Sequence, residues 1–514
     1  MSTTVLSGGR ILTMDKTHPV AEVMVVNGGR IVAVGDLDLT DRYPDASIVD
    51  LTGKTVVPGF IDAHAHLCIE AMHPRWADLS QVTEASQLGP ALVAQAEAEP
   101  ETEWVRGVGW SDLANGFTPT RRDLDELGID RPVIVVHYSY HQCVVSSAGL
   151  DALGISESTP DPRGGAFGRL RSGALNGLLV ERAFSEAHAR SMHSYRDPDR
   201  WPDNLVVAAR KLLADGITCV HDAACPPWAE DMYGRLAREE RLPISVVTMP
   251  HADALLGPLD IERLEGPVTG EGNERLRVGP IKLFADGGVM PGIEGSLQGR
   301  EISFGVVFEG LEDQVAAVVD RGFRVAVHAI GNRGVEAALG AFEAASRRSD
   351  EDHRFRVEHA TLLSDGQPKR MAELGAIGVV QPGFVHHMGG AVDGFELDKA
   401  AWMPFGDLAR ADVTIAASSD SPCTFNQPLL TSARGVTRCT SKNTTIGAEQ
   451  ALSYETWLRA YTAGAAYAGG QENERGMIIP GLRADMVVLE GELDAERPPR
   501  VAETWVAGDR VFKS

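Results

Sequence analysis

Eight short apolar runs recur between residues 56 and 422, with amphipathic stretches between several of them. No other feature constrains the fold as much. The runs are VVPGFIDAHAHL (56–67), ITCVHDAA (217–224), ISVVTMP (244–250), GPIKLFADG (279–287), RVAVHAIG (324–331), RFRVEHAT (354–361), IGVVQPGF (377–384) and VTIAASSDSP (413–422). LEDQVAAVVDRGF and NRGVEAALGAFEAASRR carry helical spacing between them. Strand alternating with helix gives right-handed parallel βαβ units. Eight units predict an α/β protein built on a (β/α)8 TIM barrel.

The two ends have another character. AEVMVVNGGRIVAVGD and ASIVDLTGKTVVPG near the start, and ADMVVLEG and VAETWVAGDRVFKS near the end, are short β-rich runs broken by Gly and Asp. Alternation around Gly-Gly in VMVVNGGRIVAVG signals a hairpin. Residues 1–57 and 475–514 are expected to form one small composite β-sandwich, and 58–474 the barrel. Residues 75–205 exceed one βα unit and contain strand runs of their own, PVIVVHYSYHQCVVSS and GGAFGRLRSGALNG. They are expected to form an insertion after the first barrel strand, arching over the barrel mouth. DPDRWPDN (197–204) reads as a surface linker back into the barrel.

Charge narrows the partners. The 514 residues include 48 Lys+Arg and 72 Asp+Glu, a formal charge of −24. Such a chain repels phosphate backbones and anionic lipid, which argues against nucleic acid and membrane as partners; the expected partner is a small-molecule substrate. No apolar run reaches the length of a membrane span, and the first residues lack a signal-peptide pattern. Six cysteines without a CxxC pair are expected to be reduced thiols in a cytoplasmic protein.

Polar residues gather at the carboxyl ends of the candidate strands, where barrel enzymes keep their active sites. The first ends in Asp62-Ala-His64-Ala-His66. Residues two apart on a strand face the same side, so His64 and His66 can share one metal ion. Lys282 stands inside the apolar run IKLFADG, where an amine is costly unless paired or modified. His328, Glu358-His359 and Asp420 end later strands. Each has a bland reading alone, as a core histidine or a capping aspartate. Together they form a set of imidazoles and carboxylates suited to zinc or a harder cation.

The order of motifs then becomes recognisable. PGFIDAHAH, HQCVVSSAGL, GGAFGRL, GLLVERA, GITCVHDA, IKLFADG, VAVHAIGNR, VEHA, SSDSP, LRAYTAGAAYAGGQENERG and PGLRADMVVL span nearly the whole chain. The sequence resembles the amidohydrolase superfamily, in its branch of YtcJ-like and N-substituted formamide deformylase-like proteins (amidohydrolase family 3). The resemblance implies that His64 and His66 bind the more buried metal, and that His328 and His359 bind a second. It implies a carboxylated Lys282 bridging the two. Asp420 is implied to touch the metal and carry the catalytic proton, with His328 and Asp420 acting in catalysis. One or two Zn²⁺ are implied, with Mn²⁺ or Fe²⁺ as alternatives.

His141, in HYSYHQCVV, matches a family histidine expected to face substrate. Asn332 stands where the family usually has Asp, which is expected to alter support for His328. His386-His387 matches no family signature. Trp76, Trp110, Phe384 and Trp402 are expected near the barrel mouth, with ordinary packing as the competing reading. The expected reaction is hydrolysis of a non-peptide C–N bond: an N-formyl or N-acyl amide, a carbamate or a cyclic amide. A deaminase is the first alternative, but the fifth strand reads His328-Ala-Ile-Gly without the expected HxxE glutamate. A non-catalytic binding protein is the second, though such a chain would be expected to lose ligands. By analogy the protein is expected to be a homodimer.

Overall fold

A computed structural model describes residues 3–112, 116–348 and 352–514. All eight central runs form strands: Phe60–Ala65, Ile217–Cys225, Ser245–Pro250, Ile281–Phe284, Val325–Ala329, Arg356–His359, Ile377–Val380 and Ile415–Ala417. They are buried almost throughout. That explains why they read as continuous apolar runs without alternation, since both faces of a helix-flanked parallel sheet are covered.

Hydrogen bonding divides these strands between two parallel sheets. The first three form one, joined by the short strand Leu276–Val278, and the last five form the other. The run expected as a single fourth strand is thus two pieces. Leu276–Val278 pairs with Ser245–Pro250, and Ile281–Phe284 pairs with Val325–Ala329. Between them Pro280 has no N–H to give to a ladder. The first and eighth strands form no ladder but meet at their ends. There Asp420 N–H donates to the His64 carbonyl (2.8 Å) and His66 N–H to the Ser421 carbonyl (2.7 Å).

Both chain ends enter one eight-stranded sheet. Met486–Glu490 lies antiparallel to Lys54–Pro58, which runs parallel to Thr4–Leu12. The expected hairpin is present: Val20–Asn27 and Arg30–Gly35 pair across Gly28-Gly29, whose φ values of 60° and 78° suit glycine.

Between the first and second of the central strands, Ala77–Asp78, Val105–Trp110, Val133–His137, Gln142–Val145, Gly165–Arg169 and Leu175–Glu181 form a separate six-stranded sheet. Helix Ser147–Leu153 packs beside it, capped by the Ser146 hydroxyl on Gly149 N–H (3.2 Å). The expected surface linker is instead the start of helix Arg200–Ala214. Trp201 there is buried, with its indole N–H on the Cys68 carbonyl (3.0 Å). The apolar ring decided against exposure. All six cysteines are free. Among the described residues no helix is long and apolar enough to cross a membrane.

Candidate active site

His64 and His66 both aim Nε2 at the Asp420 carboxylate, because each Nδ1 is held from behind. His64 Nδ1 lies 2.5 Å from Glu358 Oε2, and His66 Nδ1 lies 2.8 Å from the Ala223 carbonyl. Acceptors at Nδ1 fix the proton there and leave the Nε2 lone pair for a ligand. The two Nε2 atoms stand 3.4 and 3.3 Å from Asp420 Oδ1. One ligand atom from each of the three residues lies within 4.8 Å of the others, which suits a single cation.

Lys282, His328 and His359 line the same cavity. His359 Nδ1 faces the Gln381 side-chain oxygen (3.0 Å), and the Gln381 amide donates to the Ser418 hydroxyl (2.9 Å). The His359 ring stands 4.8 Å from that of His64 and 4.6 Å from that of His328. Lys282 is 1% exposed and its Nζ has no hydrogen-bond partner among the described residues. Burial pulls its pKa down to about 8. An unpartnered ammonium at this depth costs on the order of several kcal/mol. His328 Nε2 is likewise buried without a hydrogen bond, 3.7 Å from Asp286 Oδ1.

Burial also holds His64 and His328 well below the usual imidazole range and His359 at about 4. Neutral imidazole is the form that binds metal. Burial pushes the Asp420 carboxyl upward, and positive charge beside it, on the histidines with His359 first or on a cation, is what pulls it below the usual carboxylate range.

The cavity is about 510 Å³ and largely apolar. Phe284, Phe304, Phe384, Phe395 and Trp402 line it, and the insertion contributes Tyr140 and His141. His387 lines the mouth and His386 does not. Trp76 and Trp110 lie elsewhere. The Trp76 ring packs under the Arg106 guanidinium (4.3 Å), and Trp110 is buried with its indole N–H on the Val135 carbonyl (3.3 Å). Trp110 belongs to a small separate core with Leu79, Leu92, Val105 and Val135, whereas Trp76 packs into the large central core. Asn332 does not support His328: its side chain bonds to Glu294 and Ser364. The carboxylate beside His328 is Asp286, which also accepts N–H bonds from Ile330, Gly331 and Gly292 (2.9, 2.8 and 3.0 Å).

Sequence reasoning missed the carboxylates behind the histidines. Glu358 was visible only as half of Glu358-His359, and its fork from Arg356 (2.7 and 3.0 Å) was not. Arg356 two residues earlier on a buried strand was the available signal, since a buried cation needs an anion beside it. Glu181, which holds His141, had no local signal.

The eight parallel strands, with a histidine and carboxylate cluster at the end of the first and eighth, define a hydrolase of the metal-dependent α/β type. Residues 47–512 match the amidohydrolase family. The chain is 31% identical to the N-substituted formamide deformylase of Arthrobacter pascens, over 97% of this chain and 96% of that protein. It is 29% identical to YtcJ of Bacillus subtilis (strain 168), over 98% of each. A solved structure of an uncharacterised metal-dependent hydrolase from Pyrococcus horikoshii OT3 superposes with a TM-score of 0.74 at 25% identity, covering 96% of this chain and 98% of that one. Another from Pyrococcus furiosus gives 0.72 at 26%, covering 95% and 99%. The chain belongs to the amidohydrolase family, and it is a hydrolase of carbon–nitrogen bonds other than peptide bonds.

Proposed function

We propose that the protein hydrolyses an N-formyl or N-acyl amide, a carbamate or a cyclic amide. The observation that carries this is the convergence of His64, His66 and Asp420 on one point inside an apolar cavity. The donor set fits Zn²⁺: two imidazoles with fixed tautomers and one carboxylate. Lys282, His328 and His359 would hold a second ion, with Lys282 as a carbamate, because Nζ is buried and unpartnered. When bound, the metal would acidify water and polarise the substrate carbonyl.

The chain's own groups perform the rest. Asp420 accepts the proton of the attacking water and passes it to the leaving nitrogen. An amine leaves poorly unless protonated, so one carboxylate serves both halves of the reaction. Glu358 and Ala223 keep the Nε2 atoms of His64 and His66 aimed inward. The apolar walls exclude water and accept a bulky or aromatic substituent. We read the two parallel sheets as parts of one (β/α)8 barrel spanning 58–474. Residues 75–205 would be its insertion, and 1–57 with 475–514 a composite β-sandwich.

The test is turnover by zinc-, manganese- and iron-loaded protein on N-formyl amines, N-acyl amino acids, carbamates and lactams. Metal-dependent release of amine is expected. Stoichiometric metal with no turnover in any of the four classes would overturn the reading.

A further inference from the structure

Glu181 is fully buried, yet it lies at the junction of insertion and central sheets, far in sequence from the metal-ligating cluster. It ends the strand Leu175–Glu181 with φ 52° and ψ −120°, a conformation that a non-glycine residue adopts only when its surroundings enforce it. Its carboxylate explains the constraint. Oε1 accepts the backbone N–H groups of Val289 and Met290, each at 2.9 Å. Oε2 lies 2.7 Å from Nδ1 of His141. The backbone of the two residues is coupled too, since Glu181 N–H donates to the His141 carbonyl (2.8 Å). Gly287 and Gly288 permit this approach. A Cβ on Gly287 would come within 2.5 Å of the Glu181 carboxyl, and one on Gly288 within 2.4 Å of the His141 ring.

His141 lines the cavity, with its ring centroid 5.2 Å from that of His328. Gly288 N–H also points at Nδ1, at 3.0 Å. That atom cannot both donate to Glu181 and accept from Gly288. The contact to Glu181 is the shorter, 2.7 against 3.0 Å, and decides: Nδ1 carries the hydrogen. With its Nδ1 hydrogen on Glu181, His141 presents Nε2 to the cavity as an acceptor beside the place where substrate must sit.

We propose that Glu181 is a positioning residue that fixes His141 as a hydrogen-bond acceptor, so that the enzyme selects substrates carrying N–H on the scissile amide. This rests on the hydrolase reading above and deepens it. A secondary amide or carbamate gives its N–H to His141 Nε2. An N-methylated analogue cannot, and leaves that acceptor unpaired. Glu181→Gln keeps an oxygen for Val289 and Met290 but turns an amide N–H toward Nδ1. The imidazole then flips tautomer and offers Nε2–H to the cavity.

The experiment has two arms. Histidine-¹⁵N NMR of the metal-free protein, with His141 assigned by His141→Asn, reads the tautomer without any need for turnover. Nδ1–H is expected in the natural protein and in Glu181→Asp, and Nε2–H in Glu181→Gln. An Nε2–H tautomer in the natural protein overturns the assignment. The second arm compares kcat/KM for a secondary amide with that for its N-methyl analogue. The preference for N–H is expected to fall about ten-fold in Glu181→Gln. It is expected to return in Glu181→Asp. An equal fall for both substrates means a merely structural role and overturns the selection. If no amide is turned over at all, the hydrolase reading fails, while the spectrum still decides what Glu181 does to His141.

Discussion

The Glu358 carboxylate bonds His64 Nδ1 on one side (2.5 Å) and is gripped by the Arg356 guanidinium on the other. Arg356 also donates to the Ala63 carbonyl (2.7 Å), so one cation secures both the strand that carries His64 and the group that orients its ring. Glu358→Gln replaces an anionic acceptor by a weaker neutral one and leaves Arg356 without its charge partner. Removing a partner of this kind weakens metal binding by about 10–100-fold. Chelator competition with zinc-loaded protein measures this. An unchanged affinity would mean that His64 needs no carboxylate behind it.

Asp420→Asn tests the proton carrier. The backbone bond from Asp420 N–H to His64 survives the change, and His64 and His66 remain to hold a cation. Metal content should therefore persist while kcat falls by about 10²–10⁴. Elemental analysis beside steady-state kinetics separates the two effects. Full activity would remove Asp420 from proton transfer.

Lys282 offers a test of the proposed second metal site. Its Nζ has no hydrogen-bond partner among the described residues and sits 5.0 Å over the Phe284 ring. Lys282→Met keeps the length and removes the buried amine. The metal-free variant should melt higher, since an uncompensated polar group has gone. Metal content should fall toward one ion per chain. Two ions per chain in the variant would exclude Lys282 as a bridge.

How much was legible follows from what each residue advertises. Strands buried on both faces carry an apolar signature, so all eight were visible, and the residues after them were visible as polar exceptions. The split at Gly279-Pro280 lay inside one such run, where only the ladder shows that its halves belong to different sheets. Trp76 and Trp110 were placed near the mouth because an aromatic ring says it will be covered but not by what. Trp110 is covered by the small core around Leu79, Leu92 and Val135, and Trp76 by the large central one. Asn332 was tied to His328 through the family pattern, which usually has Asp there, but the helix Asn332–Ser346 turns its first side chain toward Glu294 and Ser364. Partners such as Glu181 for His141 are set by how the insertion folds back, and no local pattern encodes that.

A pH effect on stability separable from catalysis is expected at Asp215. It follows helix Arg200–Ala214, where the helix dipole disfavours an anion, and its part-buried carboxyl is pushed up to about 6 by burial. The ordinary value is 3.8, so between those two pH values the folded chain binds more protons than the unfolded one. Stability contributed by the neutral acid is present below pH 3.8 and is lost as pH rises through about 6. The full shift would correspond to about 3 kcal/mol, and partial exposure reduces this to about 1–2 kcal/mol. Asp215→Asn keeps a polar side chain without the charge, so it should raise stability at pH 8 by about that amount and leave it unchanged near pH 4. Urea denaturation at the two pH values measures the difference. Asp215 lies outside the cavity, so kcat should not move. Equal stabilisation at both pH values would show that the gain comes from helix capping and not from charge.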